Sequence, residues 1–377
     1  MAKILSDEQS RQGMTSSVLS VITTDLRSAP FSAPLHTVAA GFDEHVLKSP
    51  DFKAPISLLR DASPGLSSLI PREADIIHLH GINGALDMRA LIQVANGRKV
   101  VWTLHDMNPF TGACHYSLGC TRFTSDCARC PAVRAPFRTS VATHLAEKIA
   151  AMNEMPNLSV VAPSTWLADQ ARESAAFLNR SVTVIPNPVN PAYLRNDSDQ
   201  AVTGRKKRFR AVAIAKNLSD PVKAIHEAVS AFHDATKGLD NAQLTLVGRG
   251  GEAFAGESIW LAGQLNTEHL SQELSLHDVL IVPSHAENAP LVIAEAAARG
   301  CTPLVADVGG MTEMISLLGH GEVFSNSQEL TSLVTEQITK KVEGRLTSRD
   351  KIALAARSAF SPEVIVSEYG KVYEGTG

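Results

Sequence analysis

Val279-Leu-Ile-Val-Pro-Ser284-His-Ala-Glu287-Asn-Ala-Pro290-Leu-Val-Ile-Ala-Glu295-Ala-Ala-Ala-Arg-Gly300-Cys-Thr302-Pro-Leu-Val-Ala306 is the stretch that decides the fold. It reads as an apolar strand over Val279–Val282, a turn, a helix over Pro290–Arg299 and a second apolar strand over Thr302–Ala306. Strand–helix–strand succession is the unit from which parallel sheets are built. The same alternation extends outward. Upstream lie a strand at Arg208–Ala215, a helix at Pro221–Thr236 with Ile225, Val229 and Phe232 on one face, and a strand at Gln243–Val247 ending in Gly248-Arg249-Gly250-Gly251. A strand at Ser258–Leu261 and a helix around Glu268–Leu276 follow, and helices close the chain from Gln328 onward.

Toward the N-terminus, strands are expected at Ala2–Leu5, Leu35–Ala39, Asp75–Leu79, Lys99–Leu104, Leu158–Ala162 and Val182–Ile185. Helices are expected at Met14–Leu26 and Ala142–Met152, and a loop over Gly41–Leu69. Ile185-Pro-Asn-Pro-Val-Asn-Pro191 ends a strand, because proline cannot continue a ladder. It is the candidate linker. With 377 residues the chain exceeds the usual size of one domain. Two doubly wound α/β domains are therefore expected, with ligands in a cleft at the carboxyl ends of their strands.

The balance of 35 basic and 39 acidic residues, a net charge of −4, gives no general pull toward nucleic acid. The local run Arg205-Lys-Lys-Arg-Phe-Arg210 reads as a solvated strand entry or, alternatively, a membrane-surface patch. No run of about 18 apolar residues would cross a bilayer, and the first residues lack the apolar core of a signal peptide. A cytoplasmic location is expected, and in a reducing compartment five cysteines are not a disulfide framework.

Glu295 stands eight residues after Glu287, about two helical turns on. A helix N-terminus offers unpaired N–H groups to a diphosphate, and a carboxylate can hold two sugar hydroxyls at once. An isolated pair would read instead as a capping glutamate and a solvated one. His105 follows a buried strand, at the end where ligands bind; a structural histidine is the other reading.

In this setting the chain resembles glycosyltransferase family 4, whose C-terminal domain carries a Glu-x7-Glu motif. The match continues through Cys301-Thr-Pro-Leu-Val-Ala-Asp307-Val-Gly-Gly310-Met-Thr-Glu313. Within the family it is most similar to colanic-acid and exopolysaccharide transferases, through Val101-Trp-Thr-Leu-His105-Asp106-Met-Asn-Pro-Phe-Thr-Gly112-Ala-Cys114-His115-Tyr116. Ala162-Pro-Ser164-Thr-Trp166, Val184-Ile-Pro-Asn187-Pro-Val189 and the ending around Phe360, Glu363, Tyr369 and Tyr373 also match. The resemblance spans the chain and is weakest over residues 1–70.

The resemblance implies a GT-B fold of two Rossmann-like domains, an acceptor-side domain over 1–187, a donor domain over 188–358, and a terminal helix within 359–377 packing back on the first. It implies retaining transfer of a sugar from a nucleotide-diphosphate sugar to a glycan, lipid-linked or small-molecule acceptor, without a catalytic metal. Glu295 would hold the donor ribose; Glu287, with the backbone of Asn288, Ala289, Pro290 and Leu291, would meet the transferred sugar and diphosphate; His105 would stand at the reaction centre. The family places an Arg and a Lys-Gly after the first strand of the donor domain. Here Lys216 replaces the Arg, and Lys223-Ala224 stands for the Lys-Gly, with Arg249 a third candidate cation. A lysine is a point charge rather than a fork, so the role can survive. Family members carry Gly-Gly ahead of the first helix, where this chain keeps Gly13 alone. A lipid-linked acceptor would bring the chain to a membrane face.

Cys114-x5-Cys120-x6-Cys127-x2-Cys130 supplies four thiols, enough to close a structural tetrahedral zinc site. Redox pairing of Cys127 with Cys130, or four unligated thiols, are the alternatives. Rival functions are a nucleotide-sugar epimerase or phosphorylase of the same architecture, and a nucleotide-sugar-binding protein that has lost catalysis.

Overall fold

The computed structural model describes residues 1–19, 43–58, 69–83, 86–195 and 208–375. The expected strand Leu35–Ala39, residues 20–26 of the expected helix Met14–Leu26, and Arg205-Lys206-Lys207 lie outside the described residues. The chain divides into two compact units. The first is Ser6–Ile185 with Val366–Gly377 and Ala2; the second is Pro186–Ile365 with Met1 and Lys3–Leu5.

The N-terminal segment departs from expectation. Ala2–Leu5 is not a strand but the opening of helix α1, Ala2–Arg11. Leu5, Glu8 and Gln9 are buried, a spacing of three and four that belongs to a helix. Gly13, at φ +87°, ends this helix. Residues 14–19 form no helix.

In the first unit follow β1 (Ile76–His80), α2 (Met88–Ala95), β2 (Lys99–Thr103), α3 (Arg138–Asn153), β3 (Leu158–Ala162), α4 (Thr165–Glu173) and β4 (Val182–Val184). The four strands are parallel and lie in the order β1-β2-β3-β4. Val100, Val101 and Trp102 are buried because β2 is an inner strand with both faces covered.

The second unit carries β5 (Phe209–Asn217), α5 (Ile225–Ala235), β6 (Ala242–Arg249), β7 (Ile259–Gly263), α6 (Thr267–Ser275), β8 (Val279–Val282), α7 (Leu291–Ala298), β9 (Thr302–Ala306), α8 (Met311–Leu318), β10 (Glu322–Phe324), α9 (Ser327–Val342) and α10 (Arg349–Phe360). The closing helix α11, Pro362–Glu374, runs from this unit into the first. Its sheet is wholly parallel, in the order β10-β9-β8-β5-β6-β7. Counted from β5, that is the doubly wound order 3-2-1-4-5-6. The order reverses between β5 and β8, so the loops leaving these two strands part in opposite directions and open a crevice at their carboxyl ends.

Two backbone positions shape that crevice. Ala224, just before α5, is buried with φ +48°, a left-handed conformation that costs a residue with a Cβ on the order of 1 kcal/mol. This is the physical reason a glycine suits the position. Gly309, at φ +59°, lies so close to the Glu287 carbonyl oxygen that a Cβ would fall 1.7 Å from it. The loop after β9 therefore supports the loop after β8 only because Gly309 has no side chain.

Candidate active site

In the second unit the candidate residues gather at the β5/β8 reversal. Lys216 is exposed at the end of β5, and the chain then turns through Leu218–Ala224. Leu218 N–H donates to the Arg249 carbonyl and Ser219 Oγ to the Gly250 carbonyl, which ties this turn to the loop after β6. On its other side, His285 N–H donates to the Val222 carbonyl. Lys223 is thereby delivered to Glu287: its Nζ lies 2.5 Å from Oε1, and Ser284 Oγ donates to the same oxygen at 3.2 Å. Glu287 is buried and Lys223 half-buried. The lysine gives the buried carboxylate a hydrogen-bond partner that burial would otherwise deny it.

Asn288 is buried and Ala289 half-buried, and Asn187 Nδ2 donates to the Ala289 carbonyl. Helix α7 then begins at Leu291 with Pro290 as its N-cap and no side-chain cap. Its first-turn N–H groups keep their capacity for an anion. Glu295 is half-buried, and burial pushes its pKa up to about 7, opposed by the nearby Met1 amine. Arg249 is exposed at the end of β6. This unit thus pairs Lys223 with Glu287 just before α7, which carries Glu295, with Lys216 at the end of the neighbouring β5.

In the first unit, His105 is half-buried just beyond β2. Its Nε2 lies 3.0 Å from His80 Nδ1, with the rings stacked. Burial depresses the His105 pKa to about 4, so the imidazole is neutral at pH 7. Asp106 turns away from it: Oδ2 takes the His115 Nδ1 at 2.6 Å and Oδ1 accepts from Asn108 N–H. Burial would raise the Asp106 pKa, but His115 and the Asn108 N–H outweigh it and hold the carboxyl below its usual range. Asp106 therefore holds the following turn. A cavity of about 20 Å³ lies beside His105, lined in part by Gly81, Asn83, Thr103 and Pro109.

His78 and His80 carry no role in the sequence reading above, yet they extend this site. His78 Nε2 meets Thr103 Oγ1 at 2.8 Å and its Nδ1 meets Tyr373 Oη at 2.7 Å, while Tyr369 Oη reaches Thr103 Oγ1. The signal in the sequence was the spacing: two histidines two apart on one strand share a face.

The four clustered cysteines are free thiols. Burial pushes Cys114 up to about 12 and Cys127 up to about 11. As thiols they are not gathered into a shell: among the described residues, no group of three His, Cys, Asp or Glu is arranged to hold a metal ion. Among those residues, too, no helix is long and apolar enough to cross a membrane.

Comparison with known proteins agrees with this geometry. The profile of Glycosyltransferase Family 4 matches residues 2–193, and that of Glycosyl transferases group 1 matches residues 196–358. The chain is 23% identical over 310 residues to the putative colanic acid biosynthesis glycosyl transferase WcaC of Escherichia coli K12, covering 79% of this chain and 75% of that protein. Its fold is similar to that of the sucrose-phosphate synthase of Thermosynechococcus elongatus, with a TM-score of 0.58 at 18% identity over 80% of this chain and 73% of that one. It is similar also to WaaG, a glycosyltransferase involved in lipopolysaccharide biosynthesis, with a TM-score of 0.54 at 15% identity over 76% and 80%. On this profile match, which covers half of its length, the chain belongs to glycosyltransferase family 4 and is a glycosyltransferase of the GT-B fold.

Proposed function

We propose that the chain transfers a sugar, with retention of anomeric configuration, from a nucleoside-diphosphate sugar to a carbohydrate acceptor in the assembly of a polysaccharide. The observation that carries this reading is the convergence of Lys223–Glu287, the uncapped start of α7 and Glu295 at one strand-order reversal. The donor diphosphate lies against the α7 N–H groups, where Lys223 and Lys216 offset the charge that builds on it as the glycosidic bond breaks. Glu295 takes the ribose hydroxyls. The acceptor oxygen attacks the anomeric carbon on the face from which the diphosphate departs, and the acceptor proton passes to the departing phosphate oxygen. The polysaccharide assignment rests on the name of the Escherichia coli relative. A lipid-linked acceptor would bring the enzyme to a membrane surface.

Glu295 gives this reading a pH signature. Only the ionised carboxylate accepts from two hydroxyls, and in the free protein it protonates at about pH 7. Donor binding below that pH must expel a proton, so the Kd should weaken as pH falls through 7, by up to about tenfold per unit, and level off above. Glu295→Gln should lose about 1.5–3 kcal/mol of charge-assisted hydrogen bonding, roughly 10- to 100-fold in Kd, and the pH dependence with it. Calorimetric titration of both proteins from pH 5.5 to 8.5 reads this. Equal affinity in the two would remove Glu295 from the ribose role.

A further inference from the structure

The loop between β2 and α3 holds chemistry that sugar transfer does not use. Cys114, Cys120, Cys127 and Cys130 all line one cavity of about 10 Å³, room for about one water-sized sphere. Gly112 N–H faces Cys127 and the N–H groups of Ala132 and Val133 face Cys130, while the Thr111 hydroxyl donates to the Cys114 carbonyl at 2.7 Å. Cys127 has φ +52°, which turns the chain sharply within the Cys127–Cys130 pair.

A second observation points the same way. Lys148 on α3 is fully buried, and its Nζ donates to the carbonyls of Asn108, at 2.6 Å, and Thr111, at 2.7 Å. Those are neutral acceptors. The groups whose negative charge would reach it are Cys114, Cys127 and Asp106. Asp106 is already engaged by His115 and Asn108. Burial lowers the Lys148 pKa to about 7, and an anionic group of sulfurs beside it would hold it charged.

We propose that Cys114, Cys120, Cys127 and Cys130 bind one zinc ion as a closed tetrathiolate centre, with Lys148 offsetting part of its charge. Binding converts four thiols and Zn²⁺ into a dianionic centre and releases four protons. Protonated thiols have no cause to converge, so the final gathering of the sulfurs belongs to the metal-bound state. Four protein ligands leave no open position. The ion is therefore structural, and it fixes the loop that carries Asp106, Asn108 and His115.

The test is elemental analysis of protein purified under reducing conditions without chelator. About one zinc per chain is expected, retained by Cys301→Ser and lost by Cys120→Ser and Cys127→Ser when a competing chelator is present. Cys301 is a fair control: it lies in the second unit and donates to the Leu274 carbonyl, as serine can. Should the cysteine variants fail to fold, metal-free wild-type protein is titrated with cobalt. The visible spectrum of a tetrahedral tetrathiolate site, saturating at one ion per chain, is expected. Wild-type protein that folds without metal and gives no such spectrum, or zinc that survives both cysteine substitutions, overturns the proposal.

Discussion

His105→Ala should lower turnover by about 10²–10³-fold while leaving the donor Kd within about twofold, the loss typical of one preorganised polar group acting on a transition state. The imidazole stands where β2 ends, beside a small cavity, and its Nε2 is held by His80. Burial lowers its pKa to about 4, so the imidazole is neutral at pH 7, and the proposed role is that of a neutral hydrogen-bonding group. Activity should consequently show no step near pH 6.5 from this residue. The residues proposed to bind the donor sit on the other unit of the chain, which is why binding should survive the substitution. Steady-state kinetics at saturating donor, with donor affinity measured separately, gives both numbers. A fully active His105→Ala enzyme would make His105 a structural residue.

The second large effect is expected at Lys223. Lys223→Ala removes the cation that meets Glu287 and, in the proposed reaction, the departing diphosphate. Turnover should fall by about 10²–10³-fold. Stability should fall too, because Glu287 is left buried with only the Ser284 hydroxyl. Fully buried pairs broken from one side cost about 3–5 kcal/mol, and this one should cost less, since the lysine side chain is 30% exposed. Lys223→Arg keeps the charge but brings a planar fork where a point charge fits, and should recover part of the turnover. Urea unfolding separates the two effects. Wild-type kcat in a destabilised Lys223→Ala protein would confine the lysine to a structural role.

Much of the second unit was legible because its strands are short continuous apolar runs. Val279–Val282 and Thr302–Ala306 are strands with the bounds read from the sequence. Periodicity failed at Ala2–Leu5, where four residues fit a strand or the first turn of a helix, and the polar run after them continues as helix. Gly13, at φ +87°, closes that helix. At the site, the sequence singled out Lys223 and Glu287, but their ion pair depends on the Val222–His285 link between two loops, which no spacing reveals. Tyr369 and Tyr373 matched the family ending without an assigned role. Their contacts with Thr103 and His78 join residues 266 and 295 positions apart, beyond the reach of local pattern.

The central claim is that the β5/β8 reversal binds a nucleotide sugar. Thermal unfolding of the full chain against a panel of nucleoside diphosphates and their sugars, alone and with candidate carbohydrate acceptors, tests it most directly. Ligand held only by the folded state stabilises it by about 2.7 kcal/mol at a hundred times its Kd. Selective stabilisation by one base and one sugar is expected, abolished by substitution of Glu295 and Lys223 together. No shift with any donor, in the presence or absence of acceptor, would contradict it.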